Sequence, residues 1–429
     1  MYYLFRFFIY LCIFLFLVRC KEWNEEQVHV FAIPEVGFRI SPRVLITTSS
    51  SDLVYTTLSI ASLEIEVNTT ITRYSNANIS LPAAVRIKTV GFQSNAIIVR
   101  SSSDVTVHAF DNDYYNGDGF LVLPTSQLGT VYIIPNYVPY YSTYPAFFTV
   151  TALDNVASFH FRTKTGDTDN IALQPFQSYR FEGEYMEDLT GSFIKSDSLV
   201  FVTSGICTWV PNGVSSIDGL IVNVPPVKSW GRRFALAPIF GKSCGYIYRV
   251  ISGNQTTNLT ISGKDNHDNV ILPPTNMHEG DVVTATMVSI QADYPVLVVK
   301  YLKRYWACDA RGDPAMIVVT PSDLYYNHVT FPVFKTTHTY GTTHYSISVI
   351  INCSDVDSLI YDNTDSMSDS EIVRLNDDSM CCVQRVVTPG IRSVRSTYPS
   401  VKFTVSVYML CDGYYCSYAY QAGFVYLGE

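Results

Sequence analysis

The chain has 429 residues, of which 47% are hydrophobic, 14% aromatic and only 16% charged, which excludes a disordered chain and leaves room for a large core or several domains. Its 29 basic residues stand against 38 acidic ones, for a formal charge of −9. With no basic stripe, that balance argues against nucleic acid or an anionic membrane as partner.

In chain order, residues 1–20 read as a signal peptide. Arg6 supplies a short positive segment, Phe7 to Val18 an apolar run, and Val18 and Cys20 small residues before a cut at Lys21. The run is shorter than the roughly 20 residues that span a bilayer, so a secreted, extracellular chain is expected rather than an uncleaved anchor. The cut removes Arg6 and Arg19 and no acid, which takes the formal charge from −9 to −11.

Residues 21–429 repeat a single pattern four times, in units of about a hundred residues. The expected units are 45–146, 147–246, 247–344 and 345–429. One shared element is a polar turn leading into alternating apolar residues. It stands at Arg100 to Val107, Lys195 to Val202, Gln291 to Val298 and Arg395 to Val405, and that alternation is the period of a strand. Next comes an apolar strand, Gly119 to Pro124, Gly219 to Pro225, Ala315 to Pro321 and Gly423 to Leu427. In the first two units a Pro-x-x-x-apolar-Gly turn follows, and Gly129 and Gly231 are expected there for a positive φ. A short strand recurs at Asn78 to Leu81, Asn170 to Leu173, Asn269 to Leu272 and Glu371 to Leu375.

A last element, an apolar strand ending in proline, occurs at Val131 to Pro135, Phe234 to Pro238 and Val329 to Pro332. The fourth unit stops at Glu429 without it, whereas Val30 to Pro34 matches it at the start of the mature chain. Residues 28–34 are therefore expected to close the last unit. The fold class is all-β, and the offset points to a propeller-like closed ring, which leaves no exposed edge. Four tandem β-sandwiches are the alternative.

Eight cysteines remain after the cut: Cys207, Cys244, Cys308, Cys353, Cys381, Cys382, Cys411 and Cys416. An even number in an exported chain suggests a disulfide set, with the adjacent Cys381 and Cys382 taking separate partners. No Cys-x-x-Cys pair favours zinc, and no cofactor is expected. Glycosylation sequons stand at Asn68, Asn78, Asn254, Asn258 and Asn352.

Catalytic signatures are lacking. The eight histidines are scattered, with only His338 and His344 bracketing a turn, and neither Gly-x-Ser-x-Gly nor His-Glu-x-x-His occurs. Asp111, Asn112, Asp113, Asn116 and Asp118 resemble a calcium loop, but the spacing is off by one and no glutamate closes it. A polar turn is the better reading there.

Position in the repeat is more informative. The loop after the alternating strand carries aromatics in every unit: Tyr114 and Tyr115, Trp209, Tyr305 and Trp306, Tyr414 and Tyr415. Equivalent loops of equivalent units fall on one face, and aromatic rings beside carboxylates suit glycan or protein ligands. The competing reading has these rings capping the core under loops tethered by cysteines. The third copy also contains Arg311-Gly312-Asp313, a tripeptide able to offer a carboxylate to an integrin's metal site.

With its repeats aligned, the chain resembles the N-terminal region of the IgGFc-binding protein family, secreted proteins associated with mucus. The likeness is carried by Ile194 to Val200, Val224 to Gly231, Leu236 to Gly241 and Ile247 to Val250. It implies a non-enzymatic recognition protein whose ligand is an extracellular glycoprotein or protein, immunoglobulin among the candidates. An integrin-dependent adhesion protein and a hydrolase on a propeller-like scaffold are the alternatives.

Overall fold

The computed structural model describes residues 27–36, 41–112, 117–139, 145–206, 219–264, 267–303, 312–335, 342–362, 365–367, 370–412 and 417–423. Among them, strands dominate and the only helices are short 3-10 turns.

The strands fall into four groups. The first is β1 (Gln27–Phe31), β2 (Ser41–Thr47), β3 (Val54–Ile60), β4 (Ile65–Ile71), β5 (Ala77–Ser80), β6 (Gly91–Gln93), β7 (Ile97–Ser101), β8 (Thr106–Asn112) and β9 (Gly117–Val122). The second is β10 (Gly129–Ile133), β11 (Ala146–Ala152), β12 (Ala157–Arg162), β13 (Ile171–Leu173), β14 (Ser178–Glu182), β15 (Phe193–Ile206) and β16 (Leu220–Asn223). The third is β17 (Gly231–Leu236), β18 (Tyr246–Ser252), β19 (Thr257–Ser262), β20 (His267–Leu272), β21 (Met277–Val282), β22 (Val288–Leu302) and β23 (Met316–Val318). The fourth is β24 (His328–Val333), β25 (Thr343–Asn352), β26 (Leu359–Tyr361), β27 (Asp365–Ser366), β28 (Glu371–Arg374), β29 (Met380–Val386), β30 (Gly390–Ser396), β31 (Phe403–Cys411) and β32 (Ser417–Gln421).

Sequence periodicity explains which strands line which surface. In β3, Val54, Leu58 and Ile60 are buried while Tyr55 is exposed, and in β19 Thr257, Leu259 and Ile261 alternate with more accessible residues. That is the pattern of a strand with one wet face. By contrast β11, β18 and β31 are buried along their whole length, as apolar runs covered on both faces should be.

Each unit is built around a central strand, continuous or split in two, that serves two sheets. In the first unit the sheets are β1-β7-β3-β4 and β5-β2-β8-β9. The second and third units repeat these pairings, but a continuous β15 or β22 replaces the β7–β8 pair. The fourth unit splits the strand again into β30 and β31. Within β22, Pro295 is tolerated because the register against β17 shifts between Gly231 and Arg233, and a bulge does not need its missing N–H. Apolar residues of both sheets share one core, as Leu58 and Ile60 of β3 do with Val44 and Ile46 of β2. The architecture is therefore four tandem sandwiches.

The expected propeller, closed by residues 28–34, does not form. β1 pairs with β7 of its own unit, from Gln27 opposite Ser101 to Phe31 opposite Ile97. The equivalent strands do the same: β10 pairs with β15, β17 with β22 and β24 with β30. The strand ending in proline thus opens each unit, and β24 gives the fourth unit its own copy.

Unit four nevertheless packs on unit one, through side chains. Leu45 and Phe110 join the core of unit four, and Phe110 meets Tyr418 and Tyr420 edge-on at 5.8 and 5.4 Å. Thr47 Oγ1 donates to the Thr330 carbonyl at 3.1 Å, and His108 Nε2 lies 3.0 Å from the Gln421 carbonyl oxygen. Consecutive units are joined by 3-10 turns at Thr125–Gln127, Val227–Ser229 and Ser322–Leu324. The glycines after the first two turns do not adopt a positive φ, contrary to expectation. They are needed for close approach instead: a Cβ at Gly129 would lie 2.6 Å from Pro226 Cβ, and one at Gly231 2.2 Å from Pro321 Cβ.

Candidate functional site

The last strands of the four units meet. β9 packs against both β16 and β32, and β23 packs against the same two. At their centre lies Asp118, which is fully buried. Its Oδ1 accepts N–H donors from Gly119 at 2.9 Å and Ala419 at 3.4 Å, and its Oδ2 from Ile221 and Met316 at 3.4 Å each. Three of those donors come from three different units, each near the start of its last strand. Burial pushes the Asp118 pKa well above the usual carboxylate range, and the four N–H groups oppose that shift. One carboxylate thus gathers the beginnings of four strands, satisfying backbone groups that would otherwise be stranded in the interior.

Opposite Asp118 in the β8–β9 ladder stands Asp111, also fully buried. Its Oδ2 accepts the Val36 N–H at 3.2 Å, while Oδ1 has no partner among the described residues. Burial raises its pKa to about 7, against the pull of Arg86.

The hairpin loops that enter these strands carry the aromatic positions singled out in the sequence. Tyr114, Tyr115, Trp209, Tyr305, Trp306, Tyr414 and Tyr415 all lie outside the described residues, as do Cys207, Cys308, Cys416, Arg311 and His338. Gly312 and Asp313 are described. Gly312 has φ 65°, and Asp313 is 1% exposed. The integrin reading needs a projecting carboxylate, so the burial of Asp313 corrects it.

Among the described cysteines, Cys353 and Cys381 form a disulfide, and Cys244 and Cys411 are disulfide-bonded too. Cys382 corrects the expectation of a fully paired set, for it is a buried free thiol. Adjacent residues of a strand face opposite sides. While Cys381 reaches Cys353, Cys382 points into an apolar cluster with Ala235, Met287 and Tyr325. All five sequon asparagines, Asn68, Asn78, Asn254, Asn258 and Asn352, are exposed. His344 pairs with Asp412 at 2.9 Å. No group of three or more metal-ligating side chains occurs among the described residues.

One feature escaped sequence reasoning. Further along the meeting strands, residues of all four units line an apolar cavity of about 70 Å³, among them Phe120, Val222, Trp230, Met316 and Tyr420. Trp230 is fixed there by its Nε1–H, which donates to the Pro225 carbonyl at 3.2 Å. The only trace of this in the sequence is the Pro-x-x-x-apolar-Gly turn that holds Trp230.

Four β-sandwiches, with equivalent hairpin loops leading into strands that meet, define a repeat-built β scaffold. The family model described as IgGFc binding protein matches residues 118–408. The chain belongs to the IgGFc-binding protein family. No curated protein matches it. Solved structures that align with it include a tetra-tandem repeat in the extending region of a large adhesion protein, at 10% identity over 94% of this chain and 99% of that one, with a TM-score of 0.11. Others are an anti-sigma factor domain-containing protein (9% identity, 71% and 79% coverage, TM-score 0.12) and a Salmonella alpha-2-macroglobulin mutant (10%, 92% and 29%, TM-score 0.11). At such scores they carry no argument about fold or function. No helix among the described residues is long and apolar enough to cross a membrane.

Proposed function

We propose that this protein is a secreted, glycosylated, non-enzymatic recognition protein that engages an extracellular protein or glycoprotein through its four aromatic hairpin loops. The observation that carries the reading is the convergence at Asp118. The loops between β8 and β9, β15 and β16, β22 and β23, and β31 and β32 all run into strand ends gathered within hydrogen-bonding reach of one carboxylate. Ligand contacts are disproportionately borne by loops that a rigid scaffold holds together, and the family's name points to immunoglobulin Fc as the first ligand to try. Exposure of every sequon asparagine supports glycosylation, and with it passage through a secretory route.

A hydrolase would need an accessible titratable cluster at the centre, whereas both oxygens of the central carboxylate are engaged by backbone N–H groups. Biolayer interferometry of the full secreted chain against purified immunoglobulin Fc and a panel of extracellular glycoproteins tests the proposal. A variant with Tyr114, Tyr115, Trp209, Tyr305, Trp306, Tyr414 and Tyr415 changed to Ala should lose the binding that the parent shows. Equal binding by both proteins would overturn the loop assignment.

A further inference from the structure

The last strand of a sheet shows a row of unpaired backbone N–H and C=O groups, on which another chain can pair. Among the described strands of unit one, β4 pairs with β3 alone and β5 with β2 alone, so each ends its sheet. The corresponding strands of the other units are protected. In the place of β4, unit two has β13 with three residues and unit four has β27 with two, while β20 of unit three exposes His267 and Asp268. In the place of β5, β14 is covered by β6 and β29 by β28, while β21 exposes Glu279 and Asp281. Short length, cover and charge are three ways in which a sheet edge is kept from pairing.

Unit one has little of these. β4 is seven residues long and exposes one charge, Glu66, beside Asn68 and Thr70, and β5 exposes only Asn78 and Ser80. Both strands instead carry a glycosylation sequon, Asn68-Thr69-Thr70 and Asn78-Ile79-Ser80. The other three sequon asparagines lie elsewhere: Asn254 in the turn between β18 and β19, Asn258 in β19 between β20 and β22, and Asn352 at the end of β25. A strand added to β4 or β5 would lie about 4.8 Å away, with its side chains directly beside those of the edge strand. The Asn68 side chain is held on that face by Thr57 Oγ1, which donates to its Oδ1 at 2.7 Å, and Asn78 Oδ1 accepts from Arg43 Nη1 at 3.4 Å. A glycan replaces one Nδ2 proton and leaves the other for the bond from Asn68 to Glu66 Oε1 at 3.1 Å. The sugar then fills the space that an incoming side chain needs.

We propose that N-glycans on Asn68 and Asn78 guard the two free sheet edges of unit one, keeping the chain from pairing strand to strand with a second copy. The inference rests on the glycosylated reading above and is independent of what the hairpin loops bind. Sedimentation velocity of the full secreted chain at rising concentration tests it. Thr70→Ala combined with Ser80→Ala removes both sequons, keeps both asparagines and alters only exposed side chains, which does not threaten the fold. That protein should shift toward dimers and larger species. Thr256→Ala, which removes the Asn254 sequon at another exposed position, should sediment as the parent does. Asn68→Lys combined with Asn78→Lys also lacks both glycans but sets a cation on each edge, and should likewise match the parent. A Thr70→Ala, Ser80→Ala protein that sediments like the parent would overturn the proposal, and so would a lysine variant that associates as strongly as the alanine one. Mass spectrometry of the parent's glycopeptides separates two failures. Glycan on Asn254 but on neither Asn68 nor Asn78 would overturn the edge guards alone, whereas glycan on no sequon would overturn the glycosylated reading as well.

Discussion

Asp118 is an ionisable group buried where charge is costly, and four backbone donors to its carboxyl oppose that cost. Removing the carboxylate would leave those N–H groups buried without an acceptor, at about 1–3 kcal/mol for each that finds no water. Asp118→Ala should therefore lower stability by about 3 kcal/mol or more, seen as a clear drop in the urea midpoint. A change within about 0.5 kcal/mol, the scale of a neutral surface substitution, would mean that the carboxylate does not hold the strand ends together. Nothing local in the sequence marks this residue. Its donors come from as far as 301 positions away, and at short range the same aspartate reads only as part of a polar turn.

Single strands were more legible than the way they combine. Alternation placed Lys195 to Val202 and Gln291 to Val298 on strands, and they lie within β15 and β22, because a half-wet strand imposes a period of two. The same period separates Cys381 from Cys382, but which of the two is paired depends on where Cys353 lies. The strand ending in proline was recognisable in all four units, yet its role was misread. A repeated sequence has no intrinsic starting point, and whether that strand opens or closes a unit is fixed only by its pairing with β7, β15, β22 or β30.

Contacts between neighbouring units were equally hidden, and Arg249 of β18 shows why. Its guanidinium reaches back to unit two, donating to the Asn136 carbonyl at 2.6 Å, Thr190 Oγ1 at 2.8 Å and Asp188 at 2.9 Å, and lies 3.9 Å from the centre of the Tyr137 ring. The corresponding site on unit two is served by Arg180 of β14, which donates to the Ile87 carbonyl at 3.0 Å, so the cation changes strand from one repeat to the next. Arg249→Met keeps the apolar bulk but leaves Asp188 without its charge partner. Thermal or urea unfolding should show a loss of about 3 kcal/mol, as for a buried pair broken on one side. An unchanged midpoint would remove Arg249 from the set of contacts that join units two and three.

For the whole molecule, closure comes from side-chain packing between unit four and unit one and from the mutual contacts of β9, β16, β23 and β32. Sequence reasoning reached the repeat number and the all-β class because both are written in periodic patterns. It held tandem sandwiches only as the alternative to a closed ring, because their pairing depends on a central strand, continuous or split, that serves two sheets. The proposed function rests on this convergence, since it makes four separate loops neighbours.

The most direct test of that claim replaces the loop aromatics one unit at a time: Tyr114 and Tyr115, then Trp209, then Tyr305 and Trp306, then Tyr414 and Tyr415. Affinity for whichever ligand the parent binds is then measured for each protein. If the four loops form one recognition surface, variants in at least two units should weaken the same interaction, and double replacements in different units should depart from additivity. Loss confined to a single unit, with the other three variants indistinguishable from the parent, would contradict a shared surface.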